Sequence, residues 1–293
     1  MIRYLTRNQL NVEKYDNCIA NAFNTRIYAY SWYLDIVCDD FDVLIKDDYQ
    51  SVMPLPKRKK YGINYIYQVP WVQQLGVFSK DGIKDSLVWE FVNAIPKKFK
   101  LVDLLLNTEN KINSSLVVEK TNFILSLNEP YSFIRKQYTK GRNSSIKQAE
   151  KADLVIVEDL SPDKIIELFK NNKGADLHKK DADYLVLSKL IKVALSLNLA
   201  KVYAVKNNDK ELIGGAFFLI DQCRITYLFS ALNSEGREKQ VMSLLIDTVI
   251  RQNSASEFTL DFEGSMIKSI ASFFKSFGAQ KENYFWYKKK QIL

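Results

Sequence analysis

A chain of 293 residues is long for one ordinary domain and comfortable for two of about 145 each. Its hydrophobic content of 47%, with 13% aromatics, supplies real cores and excludes a disordered chain, and 10 Gly and 6 Pro exclude collagen-like or low-complexity architecture. A net charge of +8 permits a polyanionic partner such as tRNA or a phosphorylated small molecule, and a lysine-rich compositional bias would produce the same number.

The first half opens with two short helical patterns, near residues 12–22 and 29–38. Strand-like runs follow: DVLIK (42–46), SVMPLPKR (51–58), INYIYQ (63–68) and VQQLGVF (72–78). Asp81 and Gly82 break the pattern before an amphipathic helix over 83–96, whose apolar stripe is Ile83, Leu87, Phe91, Ala94 and Ile95. Val102–Leu106 and Phe123–Leu127 read as further strands. Within this half, YAYSWYLDIVC presents Trp32, Tyr33 and Asp35 on a short helix. KKYGINYIYQVPWVQQLGVF then supplies Lys60, Tyr61, Trp71, Gln73 and Gln74. The proline of Val-Pro-Trp makes a loop there. Aromatic faces beside amide side chains suit a sugar or peptide ligand, and a Tyr- and Trp-rich core is the competing reading.

Pro130 opens a long basic helical stretch, PYSFIRKQYTKGRNSSIKQAEKAD, reaching residue 152. On one continuous helix Lys136, Lys140, Lys147 and Lys151 form a stripe, with Arg135 and Arg142 on another. Such a face can neutralise phosphates, or be a solvated surface that Gly141 interrupts. The order of elements then repeats. LVIVE (154–158) is a strand, and 165–172 and 184–197 are helices. KVYAVKN, ELIGGAFFLID and RITYLFSAL are three successive strands. A helix over 238–252, the strand FTLDFE, a helix over 266–277 and the strand NYFWYKK complete the chain.

Two similar strings of elements without residue identity point to a duplicated domain. Meandering strands followed by a βαβ unit make each sheet mixed and mostly antiparallel, an α/β (α+β) class. The expected domains are 1–130 and 131–293, the second preceded by the basic linking helix.

Cys18, Cys38 and Cys223 are too scattered for a disulfide framework or a CxxC pair, and the lone His178 lies in a polar run, so no metal site is expected. MIRYLTRNQL lacks the apolar region of a signal peptide, and no apolar run reaches the ~18 residues of a spanning helix. The expectation is a soluble, cytoplasmic protein.

The corner TLDFEGS concentrates chemistry. In an extended strand Thr259, Asp261 and Glu263 point one way, which puts the two carboxylates about 6–7 Å apart on one face. Gly264 allows a tight turn, Ser265 is an N-cap, and Ile267, Ile270, Ala271, Phe274 and Phe277 form the buried stripe of a helix closed by Gly278. Lys268, standing where a capping-box acid would be, is a partner for either acid. The carboxylates serve as a general base or orient their neighbours by hydrogen bonds, and both readings stay open.

That order of elements resembles the GNAT acyltransferase fold, and its presence twice resembles the FemAB family of tandem GNAT-like domains. YTKGRNSSIKQAEKADLVI (138–156) is similar to the family's basic helix before its second domain. LIGGAFFLIDQCRITYLFSALNSEGR (212–237) is similar to its central strand pair and following turn, and LDFEGSMIKSIASFFKSFGA to its strand-to-helix corner. The resemblance implies transfer of an acyl or aminoacyl group to a primary amine, with no permanently bound cofactor and with acyl-CoA or aminoacyl-tRNA as co-substrate. It further implies an acceptor cleft on the first domain, to which Trp32, Tyr33, Asp35, Lys60, Tyr61, Trp71, Gln73 and Gln74 are assigned. Glu263 is then the first choice of base and Asp261 the second, with Tyr227 or Tyr284 protonating the leaving group. Arg142, Lys147, Gly236, Arg237 and Lys239 are the donor-binding candidates.

One departure bears on the donor. The pyrophosphate turn of GNAT enzymes is glycine-rich, whereas Asn233–Gln240 here has one glycine and two acids. Two alternatives therefore stand beside the transferase: an acyl-CoA-dependent enzyme acting on an amino-sugar or lipid precursor, and a non-catalytic RNA- or partner-binding module.

Overall fold

The structure is a computed structural model that describes residues 1–158, 160–176, 180–264 and 266–290. His178 and Ser265 lie outside the described residues. Contacts divide the chain into two units: Met1–Thr121 together with the segment from Glu282, and Asn122–Lys281.

The first unit contains β1 (Ile2–Thr6), α1 (Val12–Ala20), α2 (Ser31–Val37), β2 (Phe41–Lys46), β3 (Ser51–Lys60), β4 (Ile63–Ile66), β5 (Phe78–Ser79), α3 (Asp85–Asn93) and β6 (Phe99–Leu106). After it come β7 (Val117–Ser126), α4 (Tyr131–Lys136), α5 (Lys140–Glu150), β8 (Val155–Glu158), α6 (Pro162–Lys170) and α7 (Asp181–Ser196). The chain continues through β9 (Ala200–Lys206), β10 (Leu212–Asp221), β11 (Arg224–Leu232), α8 (Ser234–Glu238), α9 (Val241–Asn253), β12 (Thr259–Asp261), α10 (Lys268–Lys275) and β13 (Gln280–Lys290).

In the first unit the sheet order is β1-β2-β3-β4-β6-β13, with β5 paired to β3. The last strand of the chain thus serves the first unit, because β13 pairs antiparallel with β6 from Phe285↔Leu106 to Lys290↔Leu101. Sequence order alone put that strand in a domain spanning 131–293. The core gathers Leu44, Met53, Leu55, Phe91, Phe99 and Val102, and Phe285 and Tyr287 of β13 join it. Each such buried side chain contributes about 2 kcal/mol. Around α3 the stripe read off the sequence meets the core, with Phe91 and Ile95 buried and Ile83, Leu87 and Ala94 packed against them, and Val88 and Val92 widen that face.

In the second unit the order is β7-β12-β11-β10-β9-β8. Helix α9 is buried on every side from Val241 to Ile250, so it is a core helix and not an amphipathic surface one. Its one acid, Asp247, is satisfied from α4: Tyr131 donates its hydroxyl to both carboxylate oxygens at 3.0 and 2.9 Å, and Arg135 Nη1 donates at 3.1 Å. Burial pushes the Asp247 carboxyl up from the usual range, with Arg135 pulling the other way.

The basic stretch after Pro130 is two helices, not one. Thr139 caps α5 by accepting the Arg142 N–H at 3.2 Å, and Tyr138 turns into the core against Phe277. Gly141 lies inside α5. With the break at 137–139, Lys136 and Lys140 do not continue one stripe. VQQLGVF is likewise mostly irregular, and β1 adds a strand that no pattern in the sequence marks. Among the described residues no helix is long and apolar enough to cross a membrane.

Candidate active site

Both units contain a parallel strand pair that parts. In the second, β11 and β12 pair only at Arg224–Thr226 with Thr259–Asp261; β12 then ends while β11 continues to Leu232. The β10–β11 register slips between Phe217↔Phe229 and Phe218↔Tyr227, leaving Leu228 as a bulge just beyond the parting. In the first unit β4 pairs with β6 from Asn64 to Ile66, after which the chain leaves the sheet. It returns at Leu75, whose N–H donates to Leu105 O at 2.8 Å and whose carbonyl accepts Asn107 N–H at 2.8 Å.

Asp261 stands where β11 and β12 part, and it is wholly buried. Its Oδ1 accepts from Asn122 Nδ2 at 3.0 Å and from the Glu263 backbone N–H at 2.9 Å, and its Oδ2 accepts from Arg224 Nη1 at 2.5 Å. Both oxygens are occupied, so Asp261 builds the corner. Alternation stops there: Glu263 lies beyond the strand with φ +53°, in the left-handed region, and the two acids do not form a same-face strand pair. Phe262, between them, stacks on Phe274 and Phe277. Helix α10 begins at Lys268, later than expected, and Gly278 turns at φ +83° where a Cβ would meet Gln137 Cβ at 2.7 Å.

Tyr227 lies on β11 beyond the last paired residue, its ring against Phe218 and Phe274. Burial pushes its hydroxyl well above the usual tyrosine range, with the neighbouring Ser230 pulling the other way, so it holds its proton. Tyr284 is on β13, in the first unit.

The turn after β11 is self-occupied. Asn233 caps α8 by accepting the Gly236 N–H at 2.8 Å. A Cβ on Gly236 would come within 2.1 Å of Ile213 O, so glycine is required for close packing on β10. Lys239 pairs with Glu235 at 2.8 Å, and Arg237 Nη1 donates to Leu232 O at 3.3 Å. Arg142 is a correction to the exposed basic face: it is buried between the rings of Phe273 and Phe277, with Nε on Ser276 Oγ at 2.8 Å and Nη1 on Ser243 Oγ. Burial lowers its pKa to about 10. Lys147 is exposed on α5.

In the first unit an asparagine cluster clamps the returning chain. Asn24 Nδ2 and Asn110 Nδ2 donate to Val77 O at 2.9 and 3.0 Å, and Asn107 Nδ2 donates to Leu75 O at 2.9 Å. Ahead of it, Trp71 adopts φ +65° and its carbonyl accepts the Tyr33 hydroxyl at 2.5 Å. Trp32 packs edge-on against Tyr33. Gln74 is wholly buried; its Nε2 donates to Gln73 Oε1 at 2.9 Å, while its own Oε1 has no hydrogen-bond partner among the described residues. The buried Oγ1 atoms of Thr25 and Thr108, beside Asn24 and Asn107, are likewise unpartnered. Tyr33, Trp71, Gln73 and Gln74 thus gather around one loop. Asp35 instead pairs with Arg7 at 2.7 Å, and Lys60 and Tyr61 stand at the opposite end of β4, so these three do not join the loop.

The asparagine clamp, Thr25, Thr108 and the Asp247 network were missed in the sequence. A lone acid inside LLIDTVI was the available signal for the last, and nothing marked the others.

No protein-family model matches the chain, and no curated protein matches it in sequence. Solved structures do match in fold. FemX superposes with a TM-score of 0.70 at 12% identity, over 99% of this chain and 98% of that one. A conserved protein of unknown function from Bacteroides thetaiotaomicron gives 0.64 at 10% identity over 99% and 100%. The C-terminal domain of an Agrobacterium fabrum protein described as a lysylphosphatidylglycerol synthetase gives 0.57 at 10% identity over 94% and 91%. At these identities the likeness is one of fold, and it runs through almost the whole chain: this protein has the mixed α/β fold of FemX.

Proposed function

We propose that the chain is an N-acyltransferase that moves an acyl or aminoacyl group from an activated ester or thioester directly to a primary amine. One observation carries this reading: in a fold shared with FemX, β11 and β12 part at the buried Asp261, which fixes Glu263 in a left-handed conformation just beyond. A non-glycine residue held there costs about 1–3 kcal/mol.

In the proposed reaction the neutral amine attacks the donor carbonyl carbon, and the C–N bond forms as the C–O or C–S bond breaks. Glu263 takes the amine proton. A leaving alkoxide takes its proton from Tyr227, which burial keeps protonated, whereas a leaving thiolate is the weaker base and departs as the anion. The edge of β11 past Thr226, left without β12, offers backbone groups to an extended donor and to the carbonyl oxygen. Recognition of the amine acceptor is assigned to the Trp71–Gln74 loop of the first unit, whose buried Gln74 Oε1 has no hydrogen-bond partner among the described residues.

The closed turn at Asn233–Lys239 favours an aminoacyl ester over acyl-CoA, because the Gly236 amide is capped and Glu235 already occupies the first turn of α8. Thermal-shift measurements with aminoacyl-tRNA, uncharged tRNA and acyl-CoA test this. Stabilisation by aminoacyl-tRNA beyond uncharged tRNA, with amide formation on an amine acceptor, is expected. Stabilisation by acyl-CoA alone would reassign the donor, and no amide product with either donor would refute the transferase.

A further inference from the structure

One end of the first unit's sheet collects charge that the sequence scatters. β3 ends in Lys59 and Lys60, and the hairpin to β4 turns through Tyr61 and Gly62 to Ile63. β4 runs parallel to β6 with Asn64 opposite Phe99, which brings Lys97, Lys98 and Lys100 beside the same hairpin. β13 runs antiparallel to β6 with Lys290 opposite Leu101, which returns a lysine from the far end of the chain to that edge. Four neighbouring strands span about 15 Å, so these lysines share one edge of the sheet. All but the half-buried Lys100 are exposed.

The nearby acids are already committed: Asp39 to Arg58, Asp40 and Asp42 to Lys57, and Asp103 to Lys288. None of the six lysines forms an ion pair among the described residues, although Lys98 lies over the rings of Tyr4 and Phe99 at 4.4 and 5.1 Å. The hairpin tip is also apolar. Tyr61 is 91% exposed and Ile63 52% exposed, and Lys60 lies over the Tyr61 ring at 5.2 Å.

We propose that this sheet end docks on an anionic lipid surface, with Tyr61 and Ile63 entering the interfacial region and the lysines lying at the phosphate level. Long lysine stems reach the headgroups while an aromatic and an aliphatic tip bury in the layer between water and hydrocarbon. The chemistry of the cations separates this from nucleic acid. Each cation of the patch is a lysine, a point charge suited to a diffuse anionic surface. The neighbouring arginine, Arg58, which could grip phosphate with two parallel hydrogen bonds, is held by Asp39 at 2.5 and 2.9 Å and laid on the Tyr67 ring. An exposed isoleucine, moreover, has no base-stacking face to offer.

Cosedimentation of the full chain with phosphatidylcholine vesicles, with and without phosphatidylglycerol, tests the proposal. Binding to the anionic vesicles alone, released by high salt, is expected. Each lysine removed should weaken binding about fivefold, so Lys59→Gln with Lys60→Gln should cost about 25-fold. Tyr61→Ser with Ile63→Ser should weaken binding while leaving its salt dependence intact. Lys164→Gln with Lys189→Gln, the same charge change on exposed residues of the second unit, should leave it unchanged. Equal binding by the two lysine pairs, no binding to anionic vesicles, or retention by tRNA through Lys59 and Lys60 without vesicle binding would each overturn it.

Discussion

The Oδ1 oxygen of Asp261 accepts the backbone N–H of Glu263 at 2.9 Å, so the carboxylate that ends β12 sets the backbone of the acid beyond it. Two substitutions at Glu263 separate strain from chemistry. Glu263→Gln keeps the shape and removes the base, and should lower kcat for transfer by about 10²–10⁴-fold with KM little changed. Glu263→Gly relieves φ +53° and should raise stability by about 1 kcal/mol while losing the same activity. Thermal melts and steady-state kinetics on both variants read this out. A glycine variant that is less stable than wild type would show that Glu263 is not strained.

Asp261→Asn tests the corner itself. The substitution leaves a guanidinium beside an amide in a wholly buried place and weakens the support of the Glu263 N–H. It should destabilise the chain by about 3 kcal/mol in chemical denaturation. Activity should fall less than in Glu263→Gln, because the carboxylate proposed to take the proton is still present. A larger activity loss at Asp261 than at Glu263 would exchange their roles.

The corner shows how far the sequence could be read. Its helices and most strands follow from apolar periodicity, which local residues determine, so α1, α2, β2, β3 and the β9–β11 meander stand where the pattern placed them. What periodicity cannot carry is where a strand ends by losing its partner. Strand alternation extended through Glu263 predicts two aligned acids, but β12 ends at Asp261 because its side chain is turned back on the chain. The same limit hid the fate of Arg142, which counts as charge in a sequence and lies between two phenylalanines in the fold. It also hid the placement of β13, whose pairing with β6 joins residues far apart in the chain.

Cys18 predicts a loss of stability in alkali. Burial raises its thiol from 9.0 to about 11, against a small opposing pull from Lys80. The folded state therefore holds this proton more tightly than the unfolded state does. The resulting stabilisation is complete below pH 9 and disappears as the pH rises towards 11. In denaturant titrations the stability difference between wild type and Cys18→Ala should shrink by about 2–3 kcal/mol across that window. A difference that stays constant would mean that Cys18 titrates as if exposed. Native thiol labelling provides a second check, since Cys223 is exposed and should react ahead of the buried Cys18.

Gln74 separates acceptor binding from folding. Among the described residues its buried Oε1 has no partner, and its Nε2 donates to Gln73 Oε1 at 2.9 Å. Leaving a buried acceptor unsatisfied costs about 1–3 kcal/mol, comparable to what the Gln73 bond returns. Gln74→Leu removes both and keeps the volume, so the melting temperature should change little. If the amide oxygen receives a hydrogen bond from the acceptor, the same variant should raise the acceptor KM by about tenfold or more with kcat nearly unchanged. Gln73→Leu is the contrasting case: it removes the partner of the Gln74 amide and leaves a second buried group unsatisfied, so it should lower stability as well as binding. An unchanged KM in Gln74→Leu, measured over a range of acceptor concentrations, would remove this loop from acceptor recognition and leave Gln74 as a packing residue.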